Sequence, residues 1–104
     1  MSDAEEALAF QLRVVGIVFQ REFVFAPPRK WRADFLVHAH GFDSLIVEVD
    51  GGTWAGGRHT TGAGFAADIE KLNTAALLGY RVLRVTPSMV DDGSALALVE
   101  RALA

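Results

Sequence analysis

The residues of this chain whose spacing carries chemical meaning are carboxylates. Asp34 lies within the apolar run Trp31 to Val37, and Glu48-Val49-Asp50 closes a second run, Ser44 to Val49. Were these runs neighbouring β-strands, their acids would converge on one point, and clustered carboxylate oxygens select a hard divalent cation such as Mg²⁺ or Mn²⁺. Glu48 and Asp50 are two apart on an extended chain and share a face, while Val47 and Val49 project from the other. An antiparallel neighbour places Asp34 across from Glu48, and the Val49 backbone carbonyl completes a ligand set with room for water and a phosphate oxygen. The chemistry expected of such a site is metal-dependent hydrolysis of a phosphodiester. Carboxylates this close repel one another, so without a cation one of them is pushed toward its protonated form. The same residues also fit a plainer reading, a solvated strand end followed by an Asp-Gly turn.

The elements that must position these acids are legible in the hydrophobic periodicity. Ser2 and Glu5 make a capping-box pattern, and Leu8, Leu12 and Val15 recur at helical spacing, so a first helix ends near Gly16 and lays its stripe on a sheet. Ile17-Val18-Phe19 is assigned to a linker, and Glu22-Phe23-Val24-Phe25 to a short strand stopped by Pro27-Pro28. The short connection from Val37 to Ser44, around His38 and His40, favours antiparallel pairing of the two acidic strands. Gly51 to Gly64 is expected to be one long active-site loop; it lacks the lysine and spacing of a phosphate-binding loop. A second helix follows with Phe65, Ile69, Leu72 and Ala76 as its buried stripe and Gly79 as its stop. Tyr80 to Val85 forms a fourth strand parallel to a neighbour, ended by Pro87, and Ser94 to Ala102 a terminal helix burying Leu96 and Val99.

A chain of 104 residues with 51% hydrophobic composition supports one core, and residues 1–104 are expected to form a single domain. There is no cysteine, which removes disulfides, thiolate metal sites and thiol catalysis together. The N-terminus has neither the basic start nor the apolar core of a signal peptide, and no apolar run reaches the roughly 18 residues of a membrane span, so a cytoplasmic, non-membrane protein is expected. The net charge of −3 hides a pattern: residues 13 to 84 hold nine Lys or Arg against seven Asp or Glu, and the excess acid sits at the two ends. That distribution is compatible with a polyanionic partner and equally with an ordinary solvated surface.

Asp34 followed by Glu48-Val49-Asp50-Gly51-Gly52, together with Arg29-Lys30-Trp31-Arg32-Ala33-Asp34 and Asn73 to Arg84, resembles the catalytic core of the PD-(D/E)XK, or restriction endonuclease-like, nuclease superfamily. The nearest likeness is to small single-domain members related to very-short-patch repair endonucleases and to uncharacterised phage-associated proteins. It runs from about Gln11 to Val90. The resemblance implies an α/β fold with a mixed four-stranded sheet flanked by helices, in the order α-β-β-β-α-β-α. It also implies a Mg²⁺- or Mn²⁺-dependent endonuclease acting on nucleic acid, DNA before RNA, with a homodimer or protein complex as a further expectation. Asp34 takes the place of the motif's aspartate and Glu48 that of its glutamate; Asp34, Glu48 and the Val49 carbonyl would hold the metal, with Asp50 as a candidate for a second ion. The chain departs from the pattern where the motif's lysine should stand, because that position is Asp50. Lys71 on the following helix, or His59 in the loop, would then supply the missing group. A catalytically inactive module that binds nucleic acid or a protein stands beside the enzyme as the competing reading.

Around this centre, Arg58 is a candidate clamp for phosphate oxygens and Trp54 for stacking on a base, against the plainer roles of solvated loop residue and hydrophobic plug. Gly51 and Gly52 would let the backbone turn beyond the ligands. Arg29, Lys30, Arg32, Arg81 and Arg84 are candidate phosphate contacts, although Arg32 and Arg84 also suit ion pairs with Glu22 or Asp34 inside the sheet. Asp68 and Lys71 share a helix face, either as a surface pair or as the rim of the site, and Asn73 suits capping or bridging. Metal sites of the superfamily often draw an extra acid from the first helix or strand, which here points to Glu6 or Glu22. His38 and His40 are read as surface residues.

Overall fold

The computed structural model describes residues 2–38, 44–50 and 62–104. Gly51, Gly52, Trp54, Arg58 and His59 lie outside the described residues, as does His40.

Helix α1 spans Asp3–Val14, and its start is the capping box expected of Ser2 and Glu5: the Glu5 N–H donates to Ser2 Oγ at 3.2 Å and Ser2 Oγ donates to Glu5 Oε2 at 3.3 Å. Leu8, Ala9 and Leu12 are fully buried, but Val15 is 45% exposed, contrary to its place in the expected stripe. The helix ends one residue too early for that stripe to continue. Val15 is already the cap, and Gly16, at φ 78°, turns the chain away.

Strand β1 (Phe19–Val24) begins within the segment assigned to the linker and runs antiparallel to β2 (Arg32–His38). β2 is antiparallel to β3 (Ser44–Val49), which is parallel to β4 (Arg81–Val85), and the sheet order is β1-β2-β3-β4. β3 is buried along almost its whole length because helices cover both faces of the sheet. On one face Phe35, Val37, Leu45, Val47 and Val49 pack with Leu8 and Leu12 of α1 and with the C-terminal helices. On the other, Phe25, Ala33, Leu36 and Ile46 pack with Ala75 of helix α2 (Gly62–Leu77).

Three departures from the sequence reading concern helices. α2 starts at Gly62, inside the expected loop, since a first turn lacks intrahelical partners for its N–H groups anyway and tolerates such residues. Its expected stripe is largely exposed: Phe65 is 59% and Ile69 45% exposed, Ala76 is exposed, Leu72 is half-buried, and Ala75 is the residue in the core. A short helix α3 (Pro87–Asp91) follows β4, capped by Thr86, whose hydroxyl accepts from the Met89 N–H at 3.2 Å. Pro87 both ends the strand and opens this helix, a position where its missing N–H costs nothing. Helix α4 (Ser94–Leu103) buries Ala95 and Val99, with Leu96 and Leu98 packed alongside. The element order is thus α-β-β-β-α-β-α-α, the expected order with one helix added.

Candidate metal centre

The β2–β3 ladder pairs Phe35 with Val47, so the next residues in register are Asp34 and Glu48. There the carboxylates themselves accept the main-chain hydrogen bonds. The Asp34 N–H donates to Glu48 Oε2 at 2.8 Å, and the Val49 N–H donates to Asp34 Oδ2 at 2.8 Å. Each acid therefore sits on a backbone amide of the opposite strand, which orients both. Charge-assisted bonds of this kind are stronger than neutral ones.

The opposite side of Asp34 is shaped by β1. The β1–β2 register places Glu22 across from Asp34, and Glu22 has φ 52°, the left-handed region that a non-glycine residue adopts at a cost of about 1 kcal/mol or more. Alternation should put Phe19 and Phe23 on one face; instead Phe19 packs with α1 and Phe23 with the α2 side. Phe35 and Ala33 part in the same way on β2. The pleat thus breaks at the pair Glu22 and Asp34. One carboxylate oxygen each from Glu5, Glu22 and Asp34 lie within 4.8 Å of one another. Of the two candidates for an extra acid, Glu22 is in this group, whereas Glu6 is turned outward and pairs with Arg21 at 3.0 Å. Glu5, which sequence reasoning used only as a cap, takes its place. The signal was present in the spacing: Glu5 stands three and seven residues before Leu8 and Leu12, on the stripe that faces the sheet.

Glu48 is itself 9% exposed, and its second oxygen is taken by α2: Lys71 Nζ lies 2.5 Å from Glu48 Oε1. Asp50 is held elsewhere. Its N–H donates to the Val85 carbonyl at 2.8 Å, and its carboxylate accepts from Arg84 Nε at 2.6 Å. Arg84 also approaches Asp68 of α2 at 3.7 Å, so it pairs with neither Glu22 nor Asp34. Its guanidinium is held more firmly in the charged form, first by the hydrogen bond that it donates to Asp50. Among the other candidate contacts, Arg29 lies over the Trp31 ring at 3.8 Å and pairs with Glu70 at 3.2 Å, and Arg81 donates to the Ala102 carbonyl at 2.9 Å. Lys30, Arg32 and Asn73 are exposed, and His38 is exposed and bonded to Gln20 at 3.1 Å.

Asp34 is the group on which this arrangement acts most. Burial, then the charge of Glu48, raise its pKa from 3.8 to about 6, with Glu5 adding to the rise; the Val49 N–H and Lys71 act against it. Glu5, Glu22 and Asp34 cluster beside Glu48, with Lys71 on Glu48 and Arg21 at 3.9 Å from Glu5. Oxygens separated by up to 4.8 Å match ligands on opposite sides of one hard cation bound at about 2.1–2.4 Å. The donor set, all oxygen and short of positive charge, fits a divalent ion.

No protein-family model and no curated protein matches the chain. Among solved structures, the catalytic domain of the homing endonuclease I-Bth0305I superposes with a TM-score of 0.70, at 21% identity, over 99% of this chain and 94% of that one. The fold is restriction endonuclease-like. Its mixed four-stranded sheet with helices on both faces is the architecture that the resemblance implied. Within this nuclease-like fold, Asp34 and Glu48 lie together, Glu5 and Glu22 adjoin them, and Asp50, Arg84 and Asp68 form a second, neighbouring group. No helix among the described residues is long and apolar enough to cross a membrane.

Proposed function

We propose that this chain is a divalent-metal-dependent endonuclease that hydrolyses phosphodiester bonds in nucleic acid, DNA before RNA. The observation that carries the reading is the crossed pair of bonds between Asp34 and Glu48, in which the Asp34 N–H holds the Glu48 carboxylate and the Val49 N–H holds that of Asp34, with Lys71 on the second oxygen of Glu48. Asp34 would hold the ion together with Glu5, Glu22 or Glu48 and the Val49 carbonyl. A bound Mg²⁺ or Mn²⁺ supplies Lewis-acid polarisation of the phosphate and of the attacking water.

The remaining work falls to the chain's own groups. Asp34 N–H keeps Glu48 Oε2 in place, so the carboxylate cannot swing away as charge moves. Lys71 brings from α2 the positive charge that the motif normally carries two residues after its glutamate, where this chain has Asp50. A fixed ammonium there stabilises the charge that builds on the phosphate oxygens during in-line displacement. Arg58 and His59, from the segment after β3, are proposed as phosphate clamp and proton acceptor.

The decisive experiment is nicking of supercoiled plasmid in Mn²⁺ by the wild-type protein and by Glu48→Ala. Nicking lost in the variant supports the enzyme; nicking retained in it overturns the assignment. The replacement of the motif lysine by Asp50 favours one competing reading, a non-catalytic nucleic-acid-binding module. That module would bind with a steep salt dependence and cleave nothing in either form.

A further inference from the structure

A helix lying on a sheet is ordinarily held by its apolar stripe, yet α2 exposes Phe65 and Ile69 by 59% and 45%, and Leu77 by 88%. Ala75 is the one fully buried side chain among those described in this helix. At its central turn, beside the acids, charge fastens it instead. Lys71 meets Glu48 at 2.5 Å, and one turn earlier Asp68 meets Arg84 at 3.7 Å, while Arg84 Nε donates to Asp50 at 2.6 Å. Asp68 and Lys71 are three apart and share a helix face. Glu48 and Asp50 are two apart on β3, and Arg84 is the register partner of Glu48 in β4. Two clamps, side by side, thus join one turn of α2 to one end of β3.

We infer that Arg84 is a positioning residue: by bridging Asp50 and Asp68 it fixes the turn of α2 that carries Lys71, and so holds the Lys71 ammonium on Glu48. The kinetic consequence rests on the endonuclease reading above; the geometry does not. A lysine side chain has four rotatable bonds and finds a single place only if its backbone is placed first. With little apolar packing at this turn, the bridge through a rigid guanidinium is what places it. A planar guanidinium offers donors to two carboxylates at once, which an ammonium at position 84 would do poorly. This assignment differs from a phosphate contact in a measurable way. Loss of a phosphate contact weakens substrate binding, whereas loss of the bridge misplaces Lys71 and lowers turnover.

The chain contains two lysines, Lys30 and Lys71, so ¹³Cε-lysine labelling yields two side-chain NMR signals, with exposed Lys30 as the internal control. In Arg84→Gln the Lys71 signal is expected to move toward its position in Glu48→Gln while the Lys30 signal stays. Asp68→Asn, which cuts the bridge at the helix, should displace the Lys71 signal in the same direction and covers the case in which Arg84→Gln folds poorly. In the nicking assay, Arg84→Gln is expected to lower kcat about tenfold with KM changed by less than about twofold, and to have almost no added effect in a Lys71→Ala background. A Lys71 signal at its wild-type position in both bridge variants overturns the inference, as does a raised KM at unchanged kcat. If the wild-type protein cleaves no nucleic acid, the endonuclease reading falls and the lysine signals alone judge the bridge.

Discussion

Lys71 Nζ stands 2.5 Å from Glu48 Oε1 although the two residues belong to different elements, separated by the whole segment between β3 and α2. The motif that the chain resembles carries its lysine on the same strand as the glutamate; here that place is occupied by an aspartate committed to Arg84. The positive charge reaches the site through space rather than along the strand.

Lys71→Met should therefore act on both stability and activity. The variant leaves a nearly buried carboxylate without its cation, at a cost of about 2 kcal/mol in the metal-free protein, read as a lower urea midpoint. Nicking should fall by about a hundredfold, the usual effect of removing one donor aimed at developing charge. A variant as active as the wild type would show that Lys71 serves the fold alone.

The acid from α1 can be identified by comparing neighbours. Glu5→Gln keeps the capping box, because glutamine serves at that position as glutamate does, but it removes a charge from the group with Glu22 and Asp34. Mn²⁺ affinity measured by calorimetry should drop about tenfold. Glu6→Gln, whose residue faces Arg21, should leave it unchanged. Equal effects of the two substitutions would remove Glu5 from the site.

Asp34 makes the protein's response to pH directional. Its folded pKa of about 6 exceeds the ordinary 3.8, so between these values the folded state binds more protons than the unfolded one. The contribution of this group to stability is full below the lower value and is lost as pH rises through about 6. A divalent ion competes with that proton. The melting temperature should thus rise more on adding Mn²⁺ in place of EDTA at pH 7.5 than at pH 5, and equal rises at the two pH values would contradict the assignment.

Gly79 ends α2 at φ 95°, with its N–H donating to the Ala76 carbonyl at 3.0 Å and the Tyr80 N–H to the Ala75 carbonyl at 3.1 Å. Nothing stands within 4 Å of the place a Cβ would occupy, so backbone strain is the whole cost of a side chain there. Gly79→Ala should lower the unfolding free energy by about 1 kcal/mol. Chemical denaturation would measure it, and an unchanged midpoint would show that the turn relaxes freely.

What the sequence determined by itself is what local rules encode. The capping box of Ser2 and Glu5, the three strands before the long segment, the parallel return of β4 and the pairing of Asp34 with Glu48 all follow from periodicity, turn residues and short connections. Those features depend on neighbours in the chain, on a single hairpin or, for β4, on the fixed hand of a helix crossover. The tertiary structure alone decided which acid of α1 joins Asp34, where the pleat breaks at Glu22, and that α2 exposes Phe65 and Ile69 while Lys71 and Asp68 face the sheet. It alone committed Arg84 to Asp50 and Asp68. Each of these turns on a docking angle or a rotation of about one residue, roughly 100° around a helix. Periodicity names the helix face only when apolar packing dominates; where buried charges need partners, the ion pairs set the rotation and the apolar residues follow.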